Sequence, residues 1–226
     1  MEKIVLANWK AHLSPGRASG WTGTFAAGYR PVAGLGIVLA VPDLCMARVR
    51  EETADLEGVS LAGQAVSPYP PGSYTGATPA AWLQGLAAYV LVGHNERRRY
   101  FHEGVGEVAA QVREAVAAGL RPVVCLEHAG AAAQVAALDN GDMEQAFFAY
   151  TPADAVQLEQ ARDLAEIGER IAFLRELTGN RPVLYGGGVN ENNAAAIMAL
   201  PEIGGLMVGR SCLDPGEFLR IITGLA

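Results

Sequence analysis

Residues 158–188 read LEQARDLAEIGERIAFLRELTGNRPVLYGGG, and two different periods meet in them. Leu158, Ala161, Leu164, Ile167, Ile171 and Leu174 recur at spacings of three and four, which predicts a helix with one apolar stripe facing a sheet. Beyond Gly179 and Asn180, residues 182–185 (PVLY) form a short apolar run with no alternation, closed by three glycines. An unbroken apolar strand is buried on both faces, the condition of a strand in a parallel sheet covered by helices.

Working outward, similar apolar runs stand at 4–7, 37–41, 59–66, 89–92, 122–126, 146–150 and 206–208, with helical patterns between them. With 182–185 that predicts eight strands. The 226 residues leave about 28 per strand-plus-helix unit, close to the roughly 30 that such a unit requires. An α/β fold of the (β/α)8 barrel type, one domain over 1–226, is therefore expected, and a doubly wound open sheet is the alternative.

Composition narrows the function. Half the residues are hydrophobic and 18% are charged, which excludes a disordered chain and supplies one well-filled core. Net charge is −7 with Lys and Arg dispersed, so neither a nucleic acid nor a membrane surface is an expected partner. No apolar run reaches the roughly 18 residues of a membrane span, and Glu2, Lys3 and Lys10 interrupt the N-terminal stretch, so a cytoplasmic location is expected. Cys45, Cys125 and Cys212 are odd in number and far apart, which suggests buried thiols, with no disulfide framework and no metal site. No cofactor is expected. Pro and Gly fall singly except in 67–76, SPYPPGSYTG, a long stiff loop able to project from the barrel.

In a parallel barrel the chemistry sits at the C-terminal strand ends. There the chain reads Asn8-Trp9-Lys10 after the first strand and Gly93-His94-Asn95-Glu96-Arg97-Arg98 after the fourth. Tyr185-Gly186-Gly187-Gly188-Val189-Asn190 closes the seventh, and Gly209-Arg210-Ser211 follows the eighth. Lys10 offers a point cation for a phosphate or a developing oxyanion. His94 can polarise a carbonyl and move protons between adjacent oxygens. Glycines after a buried strand let backbone N–H groups approach a phosphate, although a glycine run alone is a weak signal because tight turns explain most of them. His12, His102 and His128 are read as structural, and Arg97–Arg99 with Glu103 as salt bridges below the loops.

These pieces, with Tyr74-Thr75-Gly76, stand in an order that resembles the triosephosphate isomerase family over the whole chain. The short connection between the fifth and sixth strands is similar to that of its archaeal-length members. The resemblance implies a TIM barrel, and a small phosphorylated sugar or related anionic metabolite as ligand. It implies that His94, Lys10, Asn8 and Glu96 form the catalytic set, with Glu96 orienting or neutralising Lys10. Gly187, Gly188 and Gly209, with Arg210, would hold the phosphate. The pairing of a neutral histidine with a carboxylate base belongs to what is known of that family. The loop bearing Tyr74, Thr75 and Gly76 implies a homodimer, weakened by Ala77 where the family carries an acidic residue.

The family's base is a glutamate in an Ala-Tyr-Glu-Pro segment, whereas this chain reads Ala149-Tyr150-Thr151-Pro152. A neutral hydroxyl cannot take a carbon-bound proton near neutral pH as a carboxylate does, and loss of a general base costs about 10²–10⁴ in rate. Ala153-Asp154-Ala155-Val156-Gln157 replaces the family's lid sequence, and Arg210 replaces a glycine. The expectation is a triosephosphate-isomerase-like protein whose usual isomerase activity is lost or strongly impaired. Alternatives are an aldose-ketose isomerase with a substitute base, for which Asp154, Glu127 and His128 are candidates, and a non-catalytic interaction subunit.

Overall fold

The computed structural model describes residues 3–152 and 161–226. Eight strands close into a parallel barrel in chain order: β1 (Lys3–Asn8), β2 (Leu35–Val41), β3 (Val59–Gly63), β4 (Tyr89–Val92), β5 (Arg121–Leu126), β6 (Phe147–Tyr150), β7 (Val183–Tyr185) and β8 (Ile203–Val208). The helices among the described residues are α1 (Pro15–Gly28), α2 (Asp43–Glu52), α3 (Asn95–Tyr100), α4 (Val105–Ala117), α5 (Ala131–Ala136), α6 (Asn140–Gln145), α7 (Leu164–Leu177), α8 (Ala194–Met198) and α9 (Pro215–Thr223). The expected (β/α)8 barrel is present, and none of these helices is long and apolar enough to cross a membrane.

Alternation along the strands sorts their side chains into two apolar clusters. Ile4, Leu6, Val38, Ala40, Leu91, Val123, Ala149, Leu184 and Met207 belong to one, and Val5, Ala7, Ile37, Leu39, Val90, Val124, Phe148 and Val208 pack with the helices in the other. Beyond a few residues at the starts of β1, β3 and β5, both faces of the strands are thereby removed from water, which is why the runs read as continuous rather than alternating. The barrel closes where β8 lies against β1, with Gly205 paired to Ile4. Gly205 has φ +148°, and a Cβ there would stand 2.0 Å from the Ile4 carbonyl oxygen, so only glycine lets the two backbones meet.

Three departures from the sequence reading have local causes. Strand β3 stops at Gly63 instead of running to 66, because Gln64 turns aside and its Nε2 donates to the backbone oxygens of Lys10 and Ala40. No α-helix covers the β3–β4 crossover, where the proline-rich loop leads to a 3-10 turn at Ala80–Leu83. Helix α7 begins at Leu164, not 158, because Asp163 caps it by accepting from the Ala165 N–H at 2.8 Å. Leu164 is consequently exposed, while Ile167, Ile171 and Leu174 are buried as the stripe predicts. Leu158 lies outside the described residues. The three cysteines are free and buried, and burial pushes the Cys125 thiol up to about 12.

Candidate active site

Strand β1 delivers Asn8 and then Lys10 to the C-terminal end of the barrel, with Trp9 buried between them and edge-on to Trp21 at 4.7 Å. Lys10 has φ +50°, a left-handed backbone that a side chain rarely adopts. Two contacts hold that turn: the Lys10 N–H donates to Asn8 Oδ1 at 3.1 Å, and the Gln64 amide reaches the Lys10 carbonyl oxygen at 2.9 Å. The ammonium then donates to Glu96 Oε1 at 2.6 Å, and the lysine Cε runs beside Gly209. Gln64 was not a candidate from sequence, because its partner lies 54 residues away and no local spacing marks the pair.

Beyond β4, Gly93 takes φ +65° and places His94 at the N-cap of α3. His94 Nδ1 accepts from the Glu96 N–H at 3.3 Å, which leaves the ring's other nitrogen to carry the proton of the neutral imidazole. Burial holds the imidazole down at about 4. The nearby Glu96 carboxylate opposes that shift, whereas the Lys10 and Arg98 cations reinforce it. The ring is therefore neutral at pH 7, and its 3.5 Å approach to Glu96 Oε2 is not an ion pair. Arg97 bonds Glu103 at 2.6 Å, a salt bridge foreseen for this helix, whereas Arg98 bonds Glu127 at 2.7 Å, a pair the sequence did not suggest.

Strand β6 leads directly into Thr151, which is 2% exposed and whose N–H donates to the Leu126 oxygen. Its hydroxyl is buried with no hydrogen-bond partner among the described residues. Residues 153–160, with Asp154 and the expected lid change, lie outside the described residues. The neighbouring Asn95 reaches the Pro152 oxygen with Nδ2 at 3.5 Å, while its Oδ1 has no partner among the described residues.

Gly186, Gly187 and Gly188 follow β7. A Cβ on Gly187 would lie 2.8 Å from Tyr185 Oη, so a side chain there would have to displace the end of that ring. The Gly188 oxygen accepts from the side-chain amides of Asn190 and Asn193, and Asn193 stands at the N-cap of α8. Asn190 instead accepts from the Asn192 N–H in a local turn.

One cleft of about 370 Å³ gathers Asn8, Lys10, His94, Glu96, Thr151, Gly187, Gly188, Gly209 and Arg210. The residues singled out from sequence on five separate strand ends thus share one site. His12, read as structural, is exposed and lines the cleft mouth, and Asn95 also lines it. Glu127 and His128 do not line it: Glu127 is bonded to Arg98, and His128 meets Arg170 at 2.9 Å and the Phe173 ring at 5.0 Å. Tyr74, Thr75 and Gly76 lie away from the cleft on the loop after β3, where Tyr74 stacks on Tyr69 at 4.5 Å. No group of three or more His, Cys, Asp or Glu converges as a metal site among the described residues.

Residues 3–225 match the family model described as triosephosphate isomerase. A protein of that name from Deinococcus radiodurans is 33% identical over the full length of both chains. Another from Synechocystis sp. is 34% identical over 99% of each. The crystal structure of triosephosphate isomerase from Bartonella henselae superposes with a TM-score of 0.87 at 25% identity, covering 99% of both chains. The ordered strand-end motifs, the cleft they build and these matches agree: the chain belongs to the triosephosphate isomerase family.

Proposed function

We propose that the cleft binds a small phosphorylated sugar or a related phosphorylated anion. Interconversion of dihydroxyacetone phosphate and glyceraldehyde 3-phosphate then runs far below the rate of family members that carry the glutamate. The observation that supports this most directly is Thr151, buried at the base position beside an otherwise complete polar set. Backbone N–H groups around Gly187, Gly188 and Gly209 would take the phosphate. Lys10 and the protonated ring nitrogen of His94 would polarise the carbonyl, with Asn8 and Glu96 holding Lys10 in place. Polarisation without a positioned base leaves the carbon-bound proton where it is, since Glu96 is committed to Lys10.

On this reading the chain works as one cytoplasmic domain, 1–226, and pairs with a second copy through 67–76. Exposed Leu44, Tyr69, Tyr74 and Trp82 support the pairing, as does the Thr78 hydroxyl donating to Asp43 Oδ2, which ties the loop to α2. A second reading, isomerisation by a substitute base, draws on the placement of His12 at the mouth.

A coupled assay of glyceraldehyde 3-phosphate turnover, run beside a relative that carries the glutamate, tests the proposal. The expected kcat/KM is lower by about 10³ or more. Equal turnover would overturn it, and loss of that turnover in His12→Gln or Asp154→Asn would identify the substitute. Thr151→Glu alone is expected to give incomplete rescue, because the guanidinium of Arg210 lines the same cleft and competes for the new carboxylate.

A further inference from the structure

The connection between β5 and β6 carries two short helices, α5 and α6, and the second opens on Asn140-Gly141. Of the seven asparagines in the chain, at 8, 95, 140, 180, 190, 192 and 193, only Asn140 precedes a glycine. That order matters chemically. The backbone nitrogen that follows an asparagine can attack its side-chain carbonyl carbon, and glycine puts no Cβ in the way and reaches the backbone angles of the attack at little steric cost.

In the middle of a helix the attack is blocked, since the amide N–H is bonded to a carbonyl four residues back and fixed dihedrals hold it away from the side chain. Four features remove that block here. Asn140 is the first residue of α6, so the Gly141 N–H is one of the four that find no acceptor within the helix. The helix has six residues and buries none of them fully, so neither cooperativity nor packing strongly resists its opening. Its N-cap, Asp139, makes no side-chain capping bond. Asn140 and Gly141 are both exposed, and a Cβ on Gly141 would meet nothing within 4 Å, so water reaches the bond to be made.

We infer that Asn140-Gly141 is a self-modification site, at which the folded chain converts with age to aspartyl and isoaspartyl forms. The Gly141 nitrogen loses its proton to solvent and bonds to Asn140 Cγ; the bond from Cγ to the amide nitrogen breaks, and that nitrogen leaves as ammonia with a proton from solvent. Water then opens the five-membered imide at the side-chain carbonyl to give aspartate, or at the main-chain carbonyl to give isoaspartate, in which the chain runs through Cγ. Nothing is oxidised or reduced: one water enters, one ammonia leaves and one carboxylate is gained. Aspartate in the first turn suits the helix dipole but faces Asp139 and Asp142, so it changes α6 little. Isoaspartate lengthens the main chain by a methylene and breaks the repeat on which so short a helix depends. α6 passes the chain straight to β6, with Met143 packed against the core and its oxygen accepting from the Ala146 N–H at 3.1 Å, so a broken α6 loosens that packing. The site stands whatever the cleft binds.

Incubation of the full folded chain in warm, mildly alkaline buffer, beside the free peptide 128–144, tests the site. Cleavage after Glu127 and Glu144 releases that same stretch, in which Asn140 is the one asparagine. Mass spectrometry reads the gain of about 1 Da and, by fragmentation, which linkage has formed. Asn140 in the folded chain is expected to react within about tenfold of the peptide's rate, and at least tenfold faster than any other asparagine. Gly141→Ala, with open space for its methyl and a better helix former, should slow the reaction at least tenfold while melting no lower than wild type. Asn140→Asp carries the new charge without the extra methylene and should melt within about 1 °C of the unaged chain, whereas separated isoaspartyl chains should melt at least about 3 °C lower. A folded chain more than about tenfold slower than the peptide, another asparagine modified as fast, or an unchanged rate in folded Gly141→Ala would overturn the site. Isoaspartyl chains that melt with wild type would overturn its effect on α6.

Discussion

Lys10 and Glu96, 86 residues apart, meet at 2.6 Å and lock the turn after β1 to the first turn of α3. Each side chain is about a quarter exposed, at 27% and 26%, so the pair is wet enough to contribute only modestly to stability. Its larger effect is on position, since it holds a cation within a cleft that also contains His94.

Removing the carboxylate therefore separates stability from binding. Glu96→Gln is expected to lower the unfolding free energy by about 1 kcal/mol. It should also tighten inorganic phosphate a few-fold, because the ammonium is no longer compensated. Lys10→Met should weaken phosphate at least tenfold. Urea melts and calorimetry on the two variants check both statements.

The low pKa of His94 gives stability a pH dependence of known sign. Between about 4 and the ordinary 6.5, the unfolded chain binds a proton that the folded one refuses. Stability is then complete above 6.5 and is lost as pH falls toward 4, by an amount on the order of 3 kcal/mol. Replacing His94 with Gln should flatten unfolding free energy against pH across that window, and a wild-type curve already flat there would contradict the neutral ring.

Gly93 is where the backbone must turn left-handed to set His94 at the helix start. Alanine there would keep φ +65° only with strain, and its Cβ would stand 3.1 Å from both Val108 methyls. Gly93→Ala is expected to cost about 1–2 kcal/mol from the backbone alone. It should also displace the imidazole, and both effects can be followed by urea melts together with the His94 ring resonances.

The apolar residues around 67–76 give the pairing a direct test. Trp82 is 64% exposed and Leu44 85%. Trp82→Lys combined with Tyr74→Ser is expected to raise the dissociation constant of the dimer at least tenfold. Light scattering over a concentration series measures it, and a wild-type monomer at high micromolar concentration would remove the pairing from the proposal.

What could be read from the sequence followed from burial and from chain order. Residues 89–92 are predicted and found as β4 without a shift, because a doubly covered strand leaves an apolar run that only helices can hide. Asn8, His94, Thr151 and Gly187 could be chosen because a strand end fixes where the next residue points. Gln64 and Asn95 could not, since each acts through a partner set by the closed barrel. His12 was misjudged for a related reason: two residues past Lys10, its exposure depends on a left-handed turn that no local pattern announces. The Asp163 cap was written in the chain, but the apolar stripe running through it masked the stop.

The backbone of Lys10 has one further consequence. A side-chain-bearing residue held at φ +50° by Asn8 and Gln64 is a spring already compressed when the chain folds. In the proposed site an arriving anion would meet the ammonium in its final orientation, so encounter would require no rearrangement of this loop and its rate would be governed by diffusion and field. Cutting the spring, by Gln64→Ala, would show first as slower capture of an anion and only secondarily as faster escape.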